Sequence, residues 1–413
     1  LSTTPSNSES HIYAEASIKS KIKEGQWTKY SALLTANVND PKAQFQLVAE
    51  GKGTLCLDMV SLFPPTFKNR ENGCRPDLAQ MLYDLHPKFM RFPGGCFVEG
   101  KKAPENAFHW EKTIGPIENR PGHWNVNWNY RTSDGMGFHE YLQLAEDLHA
   151  KPLYVVNVGI WHGGFTPVDS IQPWIDECLH ALEYANGDAK ATKYGALRAK
   201  NGHPQPFNIE YLEIGNENNQ LDARAQSDHY YERFKKFKDA ILAKYPKMHL
   251  IGNVVAWADD NPMWRSQEPV ELVDEHYYRD SKWFADNFHK YDVYPRLGNR
   301  PDVYVGEYAV TKDYGKMGSL NAALGEAIFM MGMENNSDIV KMASYAPIFA
   351  NLNDRRWAPD MIQYDSENSF GTPSYYVQKM MANNIGTQIL NISPSQTQNN
   401  LFASATKDEK TGI

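Results

Sequence analysis

Cysteine is scarce and unpatterned in this sequence. Cys56, Cys74, Cys96 and Cys178 are the whole complement, too scattered for a disulfide scaffold and without the CxxC spacing of zinc or redox sites. No run approaches the ~18 consecutive apolar residues of a membrane span, so no membrane partner is expected. Positive charge is in deficit: 42 Lys and Arg against 50 Asp and Glu leave a formal −8. With no basic stripe to neutralise phosphates, nucleic acid is not an expected partner either. HExxH, EF-hand, Walker A and GxSxG motifs are all missing, and the glycine-rich DGMGF at 134–138 lacks the rest of a dinucleotide fingerprint. No metal and no cofactor is therefore expected. The opening LSTTPSNSES has neither the charged start nor the apolar core of a signal peptide, so a leader is expected to be absent or already removed.

Aromatic residues, by contrast, are plentiful: 10 Trp and 23 Tyr. Such rings stack on sugar faces, although a large core with half-buried tyrosines uses them equally well. The 413 residues suffice for one large domain of roughly 250 residues and a smaller one. Residues 1–26 read as a stub, with part of a first barrel strand near HIYAE. Over 27–63 the segments TKYSALLTANV, AQFQLVAEG and GTLCLDMVSLF read as antiparallel strands, a β-sandwich fragment.

After Pro64-Pro65 the texture alternates between helix and strand. Helical stripes are carried by Leu78, Met81, Leu82 and Leu85; by Phe138, Tyr141, Leu142, Ala145 and Leu148; by Tyr230, Phe234, Phe237 and Ile241; and by Leu320, Ala323, Leu324, Ala327, Ile328 and Met331. Between them lie seven apolar runs suited to strands buried on both faces: PKFMRF, PLYVVNVG, IEYLEIGN, HLIGNVV, LVDEHYY, DVYVGEYA and IVKMASYAPI. The expected fold is α/β, a (β/α)8 TIM barrel over 64–386 with partial β-sandwich segments at both ends, the second starting at 387–413. Eight strands close such a barrel. The eighth comes from residues before Trp27, or else the sheet stays open between the strands at Phe89 and Ile339.

Reactive groups in such barrels sit at the C-terminal ends of the strands. Two carboxylates qualify: Glu217 after IEYLEIGN and Glu307 in DVYVGEYA. Carboxylates from two strands can flank a glycosidic bond, one protonating the leaving oxygen and one attacking or activating water. Glu213, at ~3.3 Å per residue roughly 13 Å further down the same strand, reads as structural.

FMRFPGGCFVEG (89–100), EIGNEN (213–218), VDEHYY (273–278) and YVGEYA (304–309) together resemble family 51 of the glycoside hydrolases, the α-L-arabinofuranosidases. The resemblance implies a barrel joined to a C-terminal β-sandwich, retention of anomeric configuration and no cofactor. It implies Glu217 as general acid/base and Glu307 as nucleophile, with Asn216 on the sugar 2-hydroxyl. Arg91 would hold the carboxylates, and His276 and Tyr278 would line the −1 pocket. Cys96 stands where many members carry Asn, which weakens its expected bond to sugar. The implied activity is exo-hydrolysis of terminal α-L-arabinofuranosyl groups from arabinan, arabinoxylan or oligosaccharides; a secreted or periplasmic setting is expected, with a cytoplasmic one as the alternative. The rivals are an endoglucanase or β-xylosidase of the same clan, and a non-catalytic carbohydrate-binding protein.

Overall fold

Each of the seven apolar runs becomes a parallel strand: β1 (Phe89–Phe92), β2 (Lys151–Val156), β3 (Tyr211–Ile214), β4 (His249–Ala256), β5 (Leu272–Arg279), β6 (Asp302–Val310) and β7 (Val340–Tyr345). The computed structural model describes all residues except 1–10, 19–23, 41, 219–228, 257–263, 265, 297, 299, 313–317, 359, 393–400 and 413. It divides the chain into two units, Leu1–Ser61 and Leu62–Ile413.

In the larger unit the strands neighbour one another in chain order, each pair parallel. Right-handed helical crossovers cover parallel strands on their outer face, so the strands can be apolar throughout. β5 shows this, buried from Leu272 to Tyr278. The helices include α1 (Pro76–Tyr83), α2 (Phe138–Asp147), α3 (Gln172–Asn186), α4 (Tyr230–Lys244), α5 (Leu320–Asn335) and α6 (Pro373–Asn383). Pro76 opens α1 at a position where its missing N–H costs nothing. Ser319 caps α5 by accepting from Ala322 N. The expected stripes of α2 and α4 face inward, with Phe138, Leu142 and Ala145 and then Phe234, Phe237 and Ile241 buried.

The stripe expected on α5 is not the buried one. Leu320 and Leu324 are exposed, while Ala322, Ala323, Glu326, Phe329 and Met333 are buried. The cause is backbone proximity: a Cβ on Gly325 would meet Ser281 Cα at 2.9 Å, and one on Gly332 would meet Phe288 O at 2.3 Å. The small-residue side therefore packs, and the leucines face out.

The sheet curls far enough for β1 to meet β6 across the interior. Phe89 and Tyr304 rings lie 5.6 Å apart. Among the described residues it has seven strands, with β1 and β7 each paired on one side only. Near HIYAE, Ile12 forms an isolated bridge, and the stretch before Trp27 expected to supply the eighth strand lies partly outside the described residues.

In the smaller unit no described residue of 27–61 forms a regular strand, where the sequence reading expected antiparallel strands. Trp27, Leu33 and Val48 are 75%, 87% and 82% exposed. Short strands are stable only with sheet partners and a buried face, and the described residues of this unit show no such sheet. At the far end Gln388–Ile389 pairs antiparallel with Thr406–Lys407. Short hairpins follow β1 (His123–Asn125 with Tyr130–Thr132) and β2 (Ile160–Trp161 with Gly164–Phe165), and a three-stranded sheet follows β7. All lie after C-terminal strand ends, where barrels carry their working loops.

Candidate active site

Three local backbone features bring the charged groups together. After β1 the chain turns through Gly94 and Gly95, both at positive φ, into a short helix Gly95–Glu99. A Cβ on Gly95 would meet Glu307 Oε1 at 3.6 Å, an ordinary contact, so it is the turn at φ +58 that calls for glycine. After β3, Glu217 itself takes φ +51, a left-handed conformation costly for glutamate. In β6 the register against β5 skips Gly306, leaving a bulge beside Glu307. Gly306 N donates to Asp274 Oδ1 at 2.8 Å, and a Cβ there would fall 2.1 Å from that oxygen. Only glycine permits this approach.

Arg91, on β1, is the hub. Its Nε donates to Glu213 Oε2 at 2.6 Å and its Nη2 to Glu213 Oε1 at 3.0 Å, a bidentate pair. Nη2 also reaches Asn216 Oδ1 at 2.8 Å, and Nη1 donates to Glu307 Oε1 at 2.8 Å. Asn253 Nδ2 donates to Glu213 Oε1 at 3.1 Å. Glu213 thus has the structural part expected of it, fixing the guanidinium. Tyr278 donates its hydroxyl to Glu307 Oε2 at 2.5 Å. His276 lies 2.8 Å from Glu217 Oε1 through Nδ1 and 2.7 Å from Asp274 Oδ2 through Nε2.

These contacts set the charges. Burial alone would raise the Glu307 pKa, but the His276 and Arg91 charges and the Tyr278 hydroxyl outweigh it and hold it below the ordinary range. Burial works against a charged His276, yet Asp274 and Glu307 push its pKa well above the ordinary value. Asp274 is held down by His276 despite its burial; Glu213 is pushed up by burial and by facing Asp274, against Arg91. An oxygen of Glu217 and an oxygen of Glu307 lie within 4.8 Å of each other.

A cavity of about 1490 Å³ opens over this cluster, lined by Arg91, Cys96, Asn216, Glu217, Tyr278 and Glu307. Trp128 from the hairpin after β1 and Trp357 from beyond β7 also line it, with ring centroids 5.1 Å apart. Six of the seven residues singled out in the sequence are therefore on one wall. His276 is not on it: 3% exposed, it lies behind Glu217 with both nitrogens engaged. Burial and the Glu99, Glu217 and Glu307 carboxylates push the Cys96 thiol up, so it faces the cavity as a neutral group. Asp274 escaped the sequence reading. Strand alternation was the available signal, since 274, 276 and 278 share one face of β5. Of the groups able to ligate a metal, Glu213, Asp274 and His276, and Glu217, His276 and Glu307, are already tied by their own bonds; Cys96, Glu99 and His162 form a third set beside them.

Two carboxylates this close at the mouth of a parallel barrel define a class, that of the barrel glycoside hydrolases with a short acid–nucleophile separation. Known proteins narrow it. Residues 81–296 match the α-L-arabinofuranosidase 1 domain and residues 306–411 the α-L-arabinofuranosidase C-terminal domain. Alpha-L-arabinofuranosidase 1 of Arabidopsis thaliana is 41% identical over 98% of this chain and 57% of its own length. An extracellular exo-alpha-L-arabinofuranosidase of Streptomyces chartreusis is 38% identical over 89% of this chain and 45% of its own. An arabinose-bound family 51 α-L-arabinofuranosidase superposes with a TM-score of 0.76 at 34% identity, covering 84% of this chain and 55% of that one. The chain belongs to glycoside hydrolase family 51, the α-L-arabinofuranosidases, and spans about half the length of the curated relatives it matches.

Proposed function

We propose that this protein removes terminal α-L-arabinofuranosyl groups from arabinose-containing oligo- or polysaccharides by double displacement. The observation that carries the reading is the pair Glu217 and Glu307, with oxygens within 4.8 Å; a retaining pair sits at about 5–5.5 Å and an inverting pair at about 6.5–9.5 Å. Glu307, kept ionised by Arg91, His276 and Tyr278, attacks the anomeric carbon. The bond to the leaving oxygen breaks as Glu217 gives that oxygen its proton. Glu217 then takes a proton from water, the water attacks the anomeric carbon, and Glu307 leaves. His276 Nδ1 holds one oxygen of Glu217 at 2.8 Å, with its other nitrogen pinned by Asp274, so the proton passed to and from the leaving oxygen is carried by the other Glu217 oxygen.

Asn216 presents its amide to the cavity for the sugar 2-hydroxyl, a contact that strengthens toward the oxocarbenium-like transition state. Tyr278 and Cys96 complete the pocket wall. Trp128 and Trp357 offer stacking surfaces to whatever the arabinosyl group is attached to. A secreted or periplasmic setting suits a polysaccharide substrate, and the Streptomyces relative is named extracellular. No described helix is long and apolar enough to cross a membrane.

The test is a sugar-release panel of aryl α-L-arabinofuranoside, arabinan, arabinoxylan, aryl β-xyloside and carboxymethylcellulose. Arabinose released from the first three is the expected result. Turnover of the xyloside or of the cellulose derivative alone would overturn the reading in favour of the clan rivals.

A further inference from the structure

The loop that carries Glu217 is held from outside its own strand, and by one side chain above all. Glu99, the last residue of the short helix Gly95–Glu99, is 2% exposed. Its Oε1 accepts from Asn218 Nδ2 at 2.8 Å, and its Oε2 accepts from Asn216 Nδ2 and His162 Nε2, each at 3.2 Å. The two asparagines flank Glu217 in sequence. Asn216 is held at both ends, with Arg91 donating to its oxygen and Glu99 accepting from its nitrogen, so its amide has one permitted orientation and keeps a second N–H. Asn218 closes the loop by accepting from Asn216 N at 3.0 Å.

Glu217 sits at φ +51 between them, in a backbone state that persists only when its surroundings over-determine it. Among the described residues its carboxylate bonds to His276. The restraint on its backbone runs through the flanking asparagines, with Asn253 Oδ1 also accepting from Asn218 N at 3.4 Å. Glu99 is in turn anchored, since Asn157 Nδ2 donates to its carbonyl at 3.3 Å and to that of Val98 at 3.0 Å.

We infer that Glu99 is a positioning residue for the acid/base, clamping Asn216 and Asn218 so that the strained Glu217 holds its carboxyl beside the leaving oxygen. This rests on the proposed role of Glu217. Glu99 takes no part in bond making; without it, the loop relaxes toward ordinary backbone and proton transfer suffers, while the Glu307 side of the pocket is left in place.

The experiment compares Glu99→Gln with wild type and Glu217→Ala on aryl arabinofuranosides of good and poor leaving ability, with and without azide. Glutamine keeps the shape but turns an amide N–H₂ toward donors. For poor leaving groups kcat/KM should fall by about 10 to 10²-fold, the scale of a misplaced catalytic group, while a dinitrophenyl leaving group, needing no proton, should lose much less. Azide, needing no base, should raise the turnover of Glu99→Gln on the dinitrophenyl substrate and yield the retained glycosyl azide. Asn218→Ala, which removes one of the same bonds, should show the same pattern more weakly and serves if Glu99→Gln does not fold. Wild-type kinetics in Glu99→Gln, or a loss equal for every leaving group and untouched by azide, would overturn the inference. If Glu217→Ala itself shows neither leaving-group selectivity nor azide response, the acid/base assignment falls, and this inference with it.

Discussion

Glu307 takes its character from neighbours on other strands: Arg91 from β1, and His276 and Tyr278 from β5. Tyr278 is the neighbour that can be edited with least damage, because removing one hydroxyl leaves the ring and the two cations in place. Its hydrogen bond lowers the Glu307 pKa, so Tyr278→Phe must raise it. Less of the nucleophile is then ionised at a given acidic pH, and the acid limb of kcat/KM moves to higher pH. A pH profile of the variant checks this; an unmoved acid limb would detach Tyr278 from the nucleophile. At this scale Glu217 and Glu307 were legible because each terminates or interrupts an apolar run inside a recognisable motif. Asp274 and Glu99 were not, since an acidic residue declares a role only through partners distant in sequence, such as His276 at the mouth of the barrel or the Asn216–Asn218 loop.

Among the elements, α5 separates what periodicity can reveal from what it cannot. Its sequence is apolar around most of its circumference, so the leucine stripe and the alanine–glycine–phenylalanine face compete, and close backbone contact through Gly325 and Gly332 decides for the latter. Leu324→Gln should therefore change unfolding free energy by no more than about 0.5 kcal/mol. Phe329→Ala, which empties a fully packed site, should cost about 3–5 kcal/mol. Denaturant midpoints with unchanged slopes would measure both, and a costly Leu324→Gln would restore the leucine stripe as the buried face. The seven strands were legible for the opposite reason: doubly covered parallel strands are continuous apolar runs, and these contain little else. The segments at 27–61 carry comparable β-branched and aromatic composition but find no partner strands among the described residues of their unit, and composition alone cannot say whether a partner exists.

For the molecule as a whole, buried acids and a buried histidine govern how stability responds to pH. Burial pushes Glu326 from 4.5 up to about 7, and burial pushes Asp360 from 3.8 up to about 7 against the pull of Arg355. His276 is raised from 6.5, burial being outweighed by Asp274 and Glu307. All three folded values lie above the unfolded ones, so each contribution is complete below the unfolded pKa and is lost as pH rises through the folded one. From about pH 6.5 to 8 the folded chain binds more protons than the unfolded chain, and stability must fall with rising pH. His139, depressed from 6.5 to about 4, is neutral when folded but half-protonated at pH 6.5 when unfolded, so it opposes this slope at the lower end of the window and ceases to do so toward pH 8. Calorimetric melting temperatures should decline between about pH 6.5 and 8, less steeply in Glu326→Gln. A rising melting temperature would contradict the assigned directions.

The central claim is that Glu307 bonds to the sugar while Glu217 manages the protons. Its most direct measurement is peptide mapping by mass spectrometry of Glu217→Ala quenched during turnover of a dinitrophenyl arabinofuranoside. Without the base that hydrolyses it, the glycosyl-enzyme should accumulate, and one anhydropentosyl unit should be found on the peptide carrying Glu307. Adduct on any other residue, or free sugar of inverted configuration with no adduct at all, would contradict it.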